Sequence, residues 1–139
     1  MKRPRILLPI FVLFCLQEVL LSCGPGKIGQ DLTGTWRLRR ITEYAIAGQE
    51  TTVVRNTDIT DPDFHVLEFQ PDHTVIQIMN GNKDQGTWSL RGHRFHLRFP
   101  YRQEPEQLVR TIHPNSDLIT DEYLRGDTAL TVAVFRKEK

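Results

Sequence analysis

From Gly34 onward, apolar residues recur at every second position within short runs, and turn-forming residues break the runs. A period of two is the side-chain period of a β-strand with one buried face and one wet face. In "GTWRLRRI" Trp36 and Leu38 share a face opposite Thr35, Arg37 and Arg39; in "GTWSLR" Trp88 and Leu90 oppose Thr87, Ser89 and Arg91. After a turn at "RGH", Phe95, Leu97 and Phe99 alternate with Arg94, His96 and Arg98. "FHVLEFQ" and "TVIQIMN" flank the turn "PDH", and "EQLVRTIHP", "DLITDEYL" and "TALTVAVFRK" are joined by "NS" and "RGD". "RRITEYAI" continues the first strand and turns at "AGQ" into "ETTVV", while "NGNKDQG" (Asn80–Gly86) has the composition of a turn. Eight or nine short strands with short connections, and no amphipathic helix after Cys23, predict an antiparallel barrel or a β-sandwich.

The hexapeptide G-T-W-x-L-R occurs twice, at Gly34–Arg39 and Gly86–Arg91. Its flanks do not repeat, so two strands need the same parts rather than sharing a duplication. Glycine permits a bend or a close approach at a strand's start, and Trp plugs one end of a core.

The first 23 residues obey a different grammar. Lys2, Arg3 and Arg5 precede an apolar run from Ile6 to Leu16, and "LLSC" at Leu20–Cys23 resembles the bacterial lipobox. The resemblance implies a signal peptide over residues 1–22, cut before a lipidated Cys23. The apolar run is too short for a transmembrane helix, which needs about 20 residues. Extending it would bury Glu18 at a cost of about 2.5–3.5 kcal/mol. A diacylglyceryl group would supply two-chain anchoring, which is stable rather than marginal. Residues 23–31 would form a lipidated, flexible Gly- and Pro-containing tether, with the barrel domain over 32–139. The expected location is the bacterial cell envelope, facing the periplasm.

Cleavage would remove Cys15 and leave Cys23 lipidated, so the domain would hold together without a disulfide. The 18 basic and 17 acidic residues of the whole chain would become 15 and 16, a net charge of −1. That balance gives no basic footprint for nucleic acid. The remaining 117 residues suit one domain with one core.

Three features together, "LTGTWRL", the "LEFQPDHTV" hairpin and the "GTWSLRGHRFHL" hairpin after a lipidated cysteine, resemble short bacterial lipocalin-like lipoproteins of the Bacteroidota type. The resemblance implies an up-and-down barrel of about eight strands. It also implies that Trp36 closes the barrel floor and that Arg136, near the end of the last strand, packs across it in a cation–π contact. Unlike typical secreted lipocalins, this sequence shows no helix after the last strand.

A search for chemistry finds no nucleophile. Ser89 and Ser116 lack an elbow context, and the barrel has no thiol. The five histidines (His65, His73, His93, His96 and His113) read as polar residues on strand exteriors and turns, and the "HRFH" pair falls on opposite faces. Asp58, Asp61 and Asp63 offer oxygen ligands for calcium, but the loop lacks the twelve-residue frame and closing Glu. A solvated connecting loop is the simpler reading. Neither an enzyme, a cofactor nor a metal site is expected.

The expected function is that of a lipid-anchored envelope binding protein holding a small apolar or amphipathic ligand at the barrel's open end. Strand phase nominates Phe69, Ile76, Ile78 and Leu97 as ligand-binding, although core packing accounts for each equally well. The alternative is a protein-interaction module, either protease-inhibitor-like through insertion of Gly24–Asp31 or structural within the envelope.

Overall fold

Each alternating run becomes a strand. A computed structural model describes residues 27–139, so Cys15, Cys23 and the expected signal peptide lie outside the described residues. A six-residue helix, α1 (Lys27–Leu32), leads into β1 (Gly34–Ala47), β2 (Glu50–Asp58), β3 (His65–Phe69), β4 (Thr74–Met79) and β5 (Asn82–Arg91). β6 (Arg94–Arg98), β7 (Leu108–His113), β8 (Leu118–Arg125) and β9 (Ala129–Lys137) follow. Neighbours are antiparallel throughout, and β1 pairs with β9 as well as with β3, which closes eight strands into a barrel rather than a sandwich. β2 stands outside the ring, paired with the second half of β1 from Arg40 to Ala47.

Two expectations about local structure need correction. The segment Lys27–Leu32 is helical, where a flexible tether and no helix were expected. The reason is tertiary: Leu32 is fully buried in the barrel core and Ile28 packs against it, so the apolar side chains of "KIGQDL" plug the barrel end. The turn assigned to "NGNKDQG" shrinks to Asn80–Gly81, both with positive φ (50° and 79°). Asn-Gly supplies the two left-handed residues a tight hairpin needs, so "NKDQ" is free to join β5.

Strand direction defines two ends. The floor carries α1, the start of β1, the ends of β3, β5, β7 and β9, and the turns that follow β3, β5 and β7. The mouth carries the turns at Gly48 and Gly126, the loop at residues 59–64 and a longer connection over residues 99–107.

Both tryptophans sit near the floor. Trp36 is buried and its indole N–H donates to the Leu32 carbonyl at 2.7 Å; the Trp88 indole donates to the Gln70 carbonyl at 3.0 Å. Burying a tryptophan requires a partner for its N–H, and local backbone supplies it in both copies. The two glycines serve different ends. Gly34 has φ +123°, a conformation L side chains rarely adopt. At Gly86 a Cβ would lie 2.4 Å from the Arg98 carbonyl oxygen and 2.8 Å from Phe99 Cδ1, so only glycine admits that approach.

The cation over the Trp36 ring is Lys137, not Arg136. Lys137 Nζ lies 5.4 Å from the ring centroid and donates to the Asp31 carbonyl at 2.7 Å. Arg136 is exposed on the outer face. The cause is strand phase: Phe135 points inward and fully buried, so Arg136 must point out and Lys137 back in.

Candidate functional site: a polar layer beneath the barrel mouth

Inward-facing residues divide the barrel into two layers. Towards the floor, Trp36, Leu38, Leu67, Phe69, Val75, Trp88, Phe95, Leu97, Ile112, Ile119 and Phe135 form one buried cluster with Leu32, and Phe99 extends that cluster towards the mouth. Phe69 packs edge-on against Phe95 and Trp88, with centroids at 5.4 and 6.0 Å. Side chains fill this half, as expected of an eight-stranded barrel.

Towards the mouth the same inward phase turns polar. Gln77 follows Val75 on β4, Arg110 precedes Ile112 on β7, Asp121 follows Ile119 on β8, and His65 precedes Leu67 on β3. Register pairs Arg110 directly with Asp121. Arg110 is only 7% exposed; its Nε donates to Asp121 Oδ2 at 3.2 Å. Its two terminal nitrogens grip Glu104, Nη2 donating to Oε1 at 2.7 Å and Nη1 to Oε2. A two-point guanidinium–carboxylate pair is the strong, directional form of this interaction.

Glu104 belongs to the connection between β6 and β7, which straps the mouth. Phe99 tucks inward, 5% exposed, while Tyr101 is fully exposed. The Arg102 guanidinium stacks over the Phe99 ring, 4.3 Å from its centroid, and reaches in to donate to Gln77 Oε1. With that oxygen engaged, the Gln77 amide nitrogen faces His65 Nε2, which therefore accepts and carries no proton.

Burial, with the Arg110 and Arg102 charges nearby, pushes His65 down to about 4. Burial pushes Asp121 up to about 6; Arg110 opposes the rise and Glu104 adds to it. Asp121 Oδ1 is buried and receives no hydrogen bond from any described residue. The layer is thus a low-dielectric cluster of two carboxylates around one fixed guanidinium, with an unsatisfied acceptor. It can recognise an anion or a donor, and it contains no nucleophile–base pair.

The nominated ligand residues scatter. Phe69 and Leu97 point inward but are packed in the apolar core. Ile76 and Ile78 face outward, because Phe69 pairs with Val75 and Leu67 with Gln77, which fixes Val75 and Gln77 as the inward set. His65 is inside rather than on the strand exterior where it was expected. In the acidic loop Asp58 pairs with Arg40 at 2.8 Å, Asp63 with Arg37 at 2.6 Å, and Asp61 Oδ1 caps the Asp63 amide. Those carboxylates already have partners, and no group of three His, Cys, Asp or Glu among the described residues could hold a metal ion.

Of the site residues that strand reading missed, Arg110 and Asp121 carried a signal, each being a charged residue in the apolar phase of its run, as in Leu108–Arg110–Ile112. Gln77 carried none, because both phases of its strand are apolar.

No family model matches this chain, and no curated protein matches it. Among solved structures it is similar to a DUF4847 family protein from Bacteroides vulgatus, 15% identical, with a TM-score of 0.45 over 77% of this chain and 95% of that one.

Proposed function

We propose that the protein is a lipid-anchored cell-envelope binding protein that holds a small amphipathic molecule at the open end of a lipocalin-like barrel. The observation that carries the reading is the polar layer: a fixed guanidinium and an unsatisfied buried oxygen of Asp121 under a strap that could move aside. Structural cores rarely keep such groups, because burying them costs more than the ion pair returns when apolar side chains could replace them. With a lipidated Cys23, the three residues 24–26 before α1, at about 3.6 Å each when extended, would keep the floor near the membrane and the mouth away from it.

Two measurements test this. Intact mass of the chain recovered from bacterial membranes should show cleavage before Cys23 with an added diacylglyceryl group, and Cys23→Ser should release it to the soluble fraction. Native mass spectrometry of the protein from its host's extract should show a small-molecule adduct that vanishes on denaturation. A clean apo mass would move the reading to the second class, a protein-interaction module. Exposed Tyr101, Val53 and Val54 favour that alternative. Protease inhibition by an inserted N-terminal segment is disfavoured, since Lys27–Leu32 is folded against the core.

A further inference from the structure

We infer that the strap over residues 99–107 is a built-in occupant of the ligand site, standing in for a small aromatic or apolar carboxylate. The ligand's acid group takes the place of Glu104 on Arg110, and its apolar part takes the place of Phe99. The inference rests on the binding-protein reading and names its ligand class.

The barrel wall is incomplete under the strap. β6 and β7 share one register pair, Arg94↔Thr111, although both strands run on towards the mouth. The strap therefore replaces no ladder. Its own backbone bonds are local, Arg102 N–H to the Phe99 carbonyl at 3.4 Å and Leu108 N–H to the Pro105 carbonyl at 3.1 Å. What holds it inward is side chains: Glu104 on Arg110, Arg102 on Gln77, and the Phe99 ring. Swinging it out breaks none of the hydrogen-bonded strand pairs.

What it would uncover has two distinct halves. The first is an anion site set in the wall, since Asp121 holds the Arg110 guanidinium by Nε and leaves both terminal nitrogens to Glu104. The second is the place of the Phe99 ring beside Gly86, where a Cβ would lie 2.4 Å from the Arg98 carbonyl oxygen and 2.8 Å from Phe99 Cδ1. Arg102 links the halves, 4.3 Å from the ring centroid and 4.0 Å from Glu104 Oε1. Ring and carboxylate thus sit within one guanidinium's reach of each other, the spacing of a single small molecule. Clefts of about 840 and 510 Å³ flank the strap and share Phe99, Pro100, Tyr101 and Arg102 in their walls.

An internal occupant weakens the apparent affinity by the fraction of time the site is open, so loosening the strap should tighten binding. The test is calorimetric titration of the full chain in lipid nanodiscs, with protein-free discs as the blank. The probes are 2-naphthylacetic acid and 2-(2-naphthyl)ethanol, matched in shape and differing in the carboxylate. The acid should bind at least about ten-fold more tightly than the alcohol, and Glu104→Gln should raise the acid's affinity about ten-fold further. Glu104→Ala is the second variant and should act in the same direction. Amide exchange across residues 99–107 should accelerate when the acid is bound.

Equal binding of the two probes, or no gain in affinity with either Glu104 variant, overturns the inference while leaving the binding-protein reading in place. Failure of both probes alongside a persistent host-derived adduct does the same. Failure of both probes with no adduct overturns both readings.

Discussion

The two ends of this barrel are built from the same strands under opposite rules. The floor is apolar and fully satisfied: Trp36 and Trp88 donate to backbone carbonyls, α1 covers the end, and Phe135, Leu67 and Val75 are fully buried. The mouth draws in Arg110 and Gln77, both buried, with Asp121 and His65 partly buried beside them, and leaves an oxygen of Asp121 without a partner among the described residues. Covalent continuity means that β3, β4, β7 and β8 each obey both rules along their length, as when Ile112 gives way to Arg110. The difference teaches where stability and function reside. The floor supplies the folding free energy, and the mouth spends part of it on groups that serve recognition.

Removing the floor's plug should break the comparison most severely. Trp36→Ala is expected to cost about 3–5 kcal/mol of stability in urea or thermal unfolding, the usual range for a buried aromatic truncated in a packed core. At the mouth, Arg110→Met orphans Glu104 and Asp121 and is expected to cost about 3 kcal/mol at pH 7. Adding Asp121→Asn and Glu104→Gln to it should recover most of that loss, which a floor substitution could not do. Gly86→Ala forces β6 and Phe99 apart where the layers meet and should cost about 1–3 kcal/mol.

The pH dependence should separate the two ends without any change in packing. Asp121 titrates near 6 in the folded chain against an ordinary 3.8, so folding retains its proton and stability falls as pH rises from about 4 to about 6. His65 titrates near 4 against 6.5, so folding sheds its proton and stability rises over nearly the same window. Each slope reaches at most about 1.4 kcal/mol per pH unit, and in the native chain they largely cancel. His65→Gln should unmask the falling slope and Asp121→Asn the rising one, both read from unfolding midpoints between pH 4 and 6.5. A floor variant such as Trp88→Phe should leave the native profile unchanged in shape. The smallest effect expected is at Lys137, where Lys137→Met should cost about 0.5–1 kcal/mol while Arg136→Ala stays within about 0.5 kcal/mol.

Much of the fold was legible because alternation is a local property. "RFHLRFP" and "GTWSLR" each declare one apolar face, and Phe95, Leu97, Phe99 and Trp88 are all buried as that pattern required. The site was harder to read. In "TVIQIM" both phases carry apolar residues, and Ile76 with Ile78 is the more hydrophobic choice. Pairing of Phe69 with Val75 decided otherwise, and nothing within β4 itself encodes that partner. Lys137 and Arg136 differ by a single residue, and only the burial of Phe135 shows which one turns towards Trp36.

The sequence by itself determined the strands, their turns and the identity of the apolar face wherever one phase clearly outweighed the other. Tertiary structure alone decided that the sheet closes on itself, that Lys27–Leu32 becomes a plug, and that Glu104 reaches Arg110 across the mouth. Strand formation depends on spacing over a few neighbouring residues. Closure, plugging and the Glu104–Arg110 contact depend on groups brought together by the ring, and their energies exist only once it has formed.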